Sequence, residues 1–318
     1  LQDLKVAIPL PKKLDEIKHF NTRTIRSNVE QGISDKYREF LALDYKDISK
    51  DKGEIWNIFV FNSILHLHTE KSIFRTNGKQ TIQLGDASEA FIGDGNIFSQ
   101  DPEELSLSTE GHAGTDCQNA SISTKYGQFF VNRKEKKVYI MGQSIEDISN
   151  LGMENWFLKN IPYTIESILN INLDTTGVAT DAPTEYFGFT SAFDAKYKRI
   201  ILTKKEVVPT EELLGLIATE RVEIVNNTFQ YTDLAEDYQI ALYGDLNDFG
   251  NTAVFEPSGW TISYYPEVKF RGSRHSYKPN LYAYTRENYY SLINNDQNAV
   301  NQIWEHSDFN NPGSFYGS

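Results

Sequence analysis

Hydrophobic residues fall in short runs along this chain, not in long helical stripes. Between Thr124 and Met141, the run Phe129-Phe130-Val131 is followed by the polar stretch Asn132–Lys137. A second run, Val138-Tyr139-Ile140-Met141, comes next. Two β-prone runs around a polar turn predict a β-hairpin. The shape recurs with other residues. Ile55, Ile58–Phe61 and Ile64–His68 predict two strands around the turn-prone pair Asn62-Ser63, and Lys71–Arg75 a third. Phe187–Asp194 and Arg199–Thr203 flank the turn Ala195–Lys198. Trp260–Tyr265, Val268–Phe270, Leu281–Thr285, Asn288–Ile293 and Gln302–His306 follow in close order, enough for one four-stranded blade and the first strand of the next.

Helical spacing is confined to short stretches. Ile148, Leu151, Trp156, Phe157, Ile161, Ile165 and Ile168 recur partly in threes and fours. Gly152 and Pro162 divide them, which predicts two short helices and a turn. Pro209–Thr219 predicts a further short helix, and Val222–Tyr231 a hairpin around Asn226-Asn227. Pro9 and Pro11 break any early helix. Gly78, Gly85, Gly93, Gly95, Gly111 and Gly114 punctuate loops, and the acidic stretch 233–248 predicts an exposed loop.

Four strand clusters result, at 53–75, 113–142, 186–205 and 260–306. The expected fold is mainly β: a β-propeller-like repeat of short antiparallel strand clusters, with a few short helices. The expected organisation is an extended lead-in segment over 1–50 and a propeller-like β domain over 51–318, with an insert at about 206–252. No fixed period is visible. A propeller tolerates that, because each blade stacks on its neighbours and insertions map to loops. A β-sandwich is the structural alternative.

Composition narrows the functional classes. The 318 residues suffice for one large β domain or two smaller ones. The 19 Phe, 18 Tyr and 4 Trp favour strands. A formal net charge of −13 disfavours direct nucleic-acid binding, which needs clustered Lys and Arg. It suits a conduit past which DNA slides without sticking. The single cysteine, Cys117, excludes an internal disulfide and a multi-cysteine metal site, as expected for a chain assembled inside a cell. No apolar run reaches the roughly 18 residues that span a bilayer. A start at Leu1 without Met or a leader predicts a processed or trimmed product.

Candidate chemistry is sparse. His66, His68 and Glu70 alternate along a strand and share one face, so they could bind a metal; a polar strand face is the plainer reading. His112, Asp116 and Cys117 crowd a glycine-flanked stretch, but a cysteine nucleophile needs a base held in hydrogen-bond reach, and a tight loop entering a strand accounts for them. The carboxylate pairs Glu103/Glu104, Glu211/Glu212 and Asp245/Asp248 suggest the two opposed groups of a glycosidase, yet 44 acidic residues make near pairs commonplace. Ser258-Gly259-Trp260 is not a sialidase box, and the glycines at 85–95 form no phosphate loop. No catalytic residue, cofactor or metal is therefore assigned. Trp260, Tyr264, Tyr277, Tyr282, Tyr290 and Trp304 stand out as interaction or packing aromatics: a sugar-stacking surface on one reading, filling between sheets on the other.

Trp260–Lys269 (WTISYYPEVK) followed by His275–Pro279 (HSYKP) resembles a segment of the large tail structural proteins of crAss-like and related podovirus-type phages. Ile303–His306 and Phe315–Gly317 continue the likeness, and Tyr126–Tyr139 and Phe193–Thr203 match its upstream β part less specifically. Val268–Arg274 departs from it, where a more hydrophobic strand with Trp is expected. The resemblance implies a non-enzymatic virion protein: a propeller-like part of a distal, muzzle-like tail ring, assembled in the host cytoplasm. Its partners would be copies of itself, other tail proteins, and DNA passing through the lumen. A host-surface carbohydrate-binding or carbohydrate-cleaving propeller is the alternative.

Overall fold

The computed structural model describes residues 24–26, 45–76, 80–83, 89–92, 101–105, 113–225, 228–231, 244–245, 248–285, 288–295 and 300–306. Most of the lead-in segment, His112, the glycines at 78–95, Asn226-Asn227, most of the acidic stretch and Phe315–Gly317 lie outside them.

The chain is mainly β, and four antiparallel sheets are arranged as a four-blade propeller. Blade 1 comprises β1 (Ile55–Phe61), β2 (Ile64–Thr69), β3 (Ile73–Arg75) and β4 (Glu103–Glu104). Blade 2 comprises β5 (Ile122–Thr124), β6 (Gly127–Asn132), β7 (Lys137–Met141) and β8 (Ile145–Asp147). Blade 3 comprises β9 (Gly188–Asp194), β10 (Arg199–Pro209), β11 (Phe255–Tyr265) and β12 (Phe270–His275). Blade 4 has three described strands: β13 (Leu281–Tyr284), β14 (Tyr289–Asn295) and β15 (Val300–Glu305). Each blade is a meander in chain order. The first strands β1, β5, β9 and β13 touch in succession, as innermost strands around an axis do.

The apolar pattern explains why these sheets stack instead of forming a sandwich. In β6 and β7, Phe129 pairs with Ile140 and Val131 with Val138, and all four face blade 3. Phe130 pairs with Tyr139 on the opposite side, where both join Phe59 and Ile73 of blade 1. Successive side chains point to opposite faces. A continuous run such as Phe129-Phe130-Val131 therefore covers both faces, as a blade between two others requires. Blade 3 repeats the arrangement: Ile200, Leu202, Ile262 and Tyr264 face blade 2, while Ala192 and Ile201 meet Tyr289 of blade 4.

The strand cluster at 260–306 divides differently from the expectation. β11 and β12 complete blade 3, which Phe187–Thr203 had opened, and blade 4 begins only at Leu281. The interruption starts after β10, because that strand runs on to Pro209 paired with Phe255. The insert holds α4 (Glu211–Ala218), capped by the Thr210 hydroxyl, and a hairpin Val222–Val225/Thr228–Tyr231. Leu213, Phe229 and Phe249 anchor it to the core shared by blades 2 and 3. Three short helices join those blades: α1 (Glu154–Asn160), α2 (Thr164–Leu169) and α3 (Leu173–Thr176). Among the described residues no helix is long and apolar enough to cross a membrane.

The meander order gives the propeller two distinct faces. First strands begin at a loop face, which carries the connections between blades, α1–α3 and the insert. They end at a turn face, which carries the tight turns 62–63, 125–126 and 195–198 and the end of β13.

Candidate functional site

The loop face holds a network of buried charges. Arg133 leaves the β6–β7 turn and folds inward. Its Nε donates to Asp116 Oδ2 at 3.1 Å, and its guanidinium also donates to Asp174 at 2.6 Å and to the Thr180 hydroxyl at 3.3 Å. The Arg133 and Asp116 side chains are only 10% and 5% exposed. Asn132 to Lys137 is thus not simply a solvated edge loop, because Asn132 and Arg133 turn inward to satisfy local backbone and carboxylate groups. Burial works against the Arg133 charge, but the carboxylates outweigh it and raise its pKa above the ordinary guanidinium value.

The Tyr163 ring lies between two cations, with Arg133 Cζ 5.5 Å and Lys204 Nζ 5.4 Å from its centroid. Its hydroxyl donates to Thr180 O at 2.6 Å. Lys204 is fully buried on β10 and donates to Glu206 at 2.8 Å and to Pro162 O at 2.7 Å. Burial lowers its pKa against the pull of Glu206. Glu206 also accepts the amide and hydroxyl of Thr164 at the start of α2. This set ties the blade 2–3 linker to both blades. Such pairs fix geometry more than they add stability, but removing one partner strands the other.

Asp181 completes the network. Its Oδ2 accepts the Gln118 amide at 2.7 Å, while Oδ1 is sealed from water without a partner. Burial pushes its carboxyl up to about 8, with Asp116 adding to the effect, so it is mostly protonated at neutral pH. Cys117 lies alongside, donating to Asp116 at 3.4 Å. Burial raises its thiol, which is the wrong direction for a nucleophile. The segment 113–117 leads through a single 3-10 turn, Gln118–Ala120, into β5.

The sequence-marked histidines lie in an aromatic box between blades 1 and 2. His66 stacks on Phe59 at 5.0 Å, and His68 meets Phe130 edge-on at 4.4 Å. His68 Nε2 bonds Ala113 O at 2.9 Å, and burial holds its pKa down to about 3. Glu70 points elsewhere, to Lys134. Among the described residues no group of three His, Cys, Asp or Glu side chains is placed to hold a metal ion. Two of the carboxylate pairs have structural places: Glu103 bonds Arg75, Glu104 bonds Lys52 and Ser72, and Glu211 and Glu212 occupy the first turn of α4.

The turn face offers two clefts. One, of about 250 Å³, lies between blades 1 and 2 and is lined by Phe61, Asn62, His66, Arg75, Met141 and Ser144 among others. The other, of about 530 Å³, opens where the first strands of blades 2, 3 and 4 end. Ser123, Thr124, Lys125, Phe193, Tyr284 and Thr285 line it.

No protein-family model and no curated protein matches this chain.

Of the six marked aromatics, most fill junctions. Trp260 packs on Trp156, Phe157 and Phe189 and donates its Nε1 to Asn160 O. Tyr264 is buried in the blade 2–3 core. Tyr277 is buried between blades 3 and 4, its hydroxyl 3.2 Å from that of Tyr289. His306 stacks on Tyr289 at 4.4 Å, and His275 packs beside Tyr277 at 5.1 Å. Tyr282 reaches the Thr203 hydroxyl at 2.8 Å. Tyr290 and Trp304 are half-buried on β14 and β15. Sequence reading singled out none of Arg133, Asp181 and Lys125. Arg133 and Lys125 sit in ordinary polar turns, and Asp181 finds Gln118 only across 63 positions.

Proposed function

We propose that this chain is a non-enzymatic structural propeller of a bacteriophage tail, joined with copies of itself in a distal, muzzle-like ring around the DNA exit path. On this reading it belongs to the virion and assembles in the host cytoplasm. The observation that carries the proposal is where the phage-like segments fall. Trp260–Lys269 supplies the second half of β11, packed on blade 2 and its linker, and the β11–β12 turn, while His275–Pro279 ends β12 and leads into β13. Both are scaffold positions, at the joints that blade 3 makes with its neighbours.

Two further features support it. Val268, at the β11–β12 turn, is 68% exposed, and Ile303, on the last described strand of blade 4, is 70% exposed, and a neighbouring subunit in a ring would cover them. The net charge of −13 suits a lumen that does not grip DNA. Negative-stain electron microscopy of the purified chain tests the proposal. Closed rings with one rotational symmetry are expected, and Val268→Asp with Ile303→Asp should disperse them. Monomers at high protein concentration, with no ring in particles, overturn it.

A further inference from the structure

The turn-face cleft at the ends of β5, β9 and β13 is suited to a ligand. It is a shallow, open depression of about 530 Å³, wide enough for one sugar ring to lie on. It lies at the mouth of the propeller axis, where three blades each contribute side chains. Phe193 and Tyr284 give it aromatic surface, and Tyr284 is 42% exposed.

The polar groups have a definite chemistry. The Ser123 hydroxyl donates to Gln128 Oε1 at 2.5 Å and that of Thr124 to Gly127 O at 2.9 Å. Their protons are committed, so towards the exposed side Ser123 presents acceptor lone pairs. Lys125 is the cation at the rim. Among the described residues it makes no ion pair, and its Nζ rests 4.8 Å over the Tyr126 ring. Elsewhere in the structure lysines such as Lys46, Lys52, Lys134, Lys137, Lys198, Lys204 and Lys269 are paired with carboxylates.

From these observations we infer that the cleft binds an acidic saccharide, a ring with several hydroxyl donors and one carboxylate. The sugar's C–H face packs on Phe193 and Tyr284, its hydroxyls donate to Ser123, and its carboxylate meets Lys125 in a charge-assisted hydrogen bond. In a chain of net charge −13 the long-range field repels anions, so capture depends on these short-range contacts. This goes beyond ring assembly and does not rest on it.

Isothermal titration of the purified chain with trigalacturonate and 3′-sialyllactose, against lactose and maltotriose, tests the inference. At least one acidic sugar should bind at least tenfold tighter than the neutral ones. Lys125→Ala and Tyr284→Ala should each weaken it roughly tenfold, while both variants keep the wild-type thermal midpoint. No binding of either acidic sugar at millimolar concentration overturns the inference. So does equal binding of neutral sugars, binding unchanged in both variants, or benzoate binding as tightly as the saccharide. Ring formation is scored separately by microscopy, so either idea can fail alone.

Discussion

The Arg133 network on the loop face and the Lys125 cleft on the turn face use charge in opposite ways. On the loop face, Arg133, Lys204, Asp116 and Glu206 are paired and largely withdrawn from water, with the more exposed Asp174 as a further partner of Arg133. On the turn face, Lys125 has no carboxylate partner among the described residues and borders an open cleft. Ion pairs that close on themselves hold the blade 2–3 linker and leave nothing for a ligand. An unpaired cation beside aromatic surface contributes little to the fold and is available to a partner. The difference teaches that the cluster richest in ionisable groups is the scaffold here, and the sparser one is the candidate site.

The largest effect should come from breaking the loop-face network. Arg133→Met leaves Asp116 buried without its cation and should cost about 3–5 kcal/mol in urea unfolding. Phe130→Ala removes a fully buried ring shared by blades 1 and 2 and should cost a similar amount, about 3–5 kcal/mol, by creating a cavity. It probes packing where Arg133→Met probes charge.

The pH dependence comes next. Burial, with Arg199 adding to it, holds His275 and His306 down to about 4 at the blade 3–4 junction. Their unfolded forms take up protons near pH 6.5, so the unfolded state binds more protons and stability falls as pH drops from about 6.5 to 4. His68 extends the loss to about pH 3. A double variant, His275→Gln with His306→Gln, should show a flatter profile of urea midpoint against pH. Asp181 acts in the other direction. Its folded pKa of about 8 lies above the unfolded value near 4, so its contribution is lost as pH rises through that window. Asp181→Asn should therefore gain thermal stability over wild type at pH 8–9 and differ little at pH 4. The smallest stability effect should be that of Lys125→Ala, within about 0.5 kcal/mol of wild type, although its effect on ligand capture is large.

Much of the fold was legible because its cause is local. Phe129-Phe130-Val131 and Phe187–Asp194 cover both faces of their strands, and that pattern favours stacked blades over a sandwich with one wet side. Pro162 separates α1 from α2 as expected, but Ile148 and Leu151 lie before α1 outside any helix, and α3 was not anticipated. What escaped has no local signature. Strand β4 is two glutamates, Glu103 and Glu104, that join blade 1 by backbone pairing with Phe74 and Arg75. The boundary between blades 3 and 4 falls inside one dense run of strands. Gly259, in the Ser258-Gly259-Trp260 stretch that forms no catalytic box, has a steric reason to be glycine: its φ of +116° and the Lys204 carbonyl, which a Cβ would strike. The ion network joins residues 17 and 41 positions apart, which only the stacking of blades brings together.

Native-state hydrogen exchange tests the contrast between the faces most directly. The amides of Gln118, Arg133 and Thr164, each bonded to a loop-face carboxylate, should exchange only through global unfolding. The turn-face amides of Lys125, Tyr126 and Thr285 should exchange by local opening, orders of magnitude faster. Loop-face amides that exchange as fast as those turns would contradict the account.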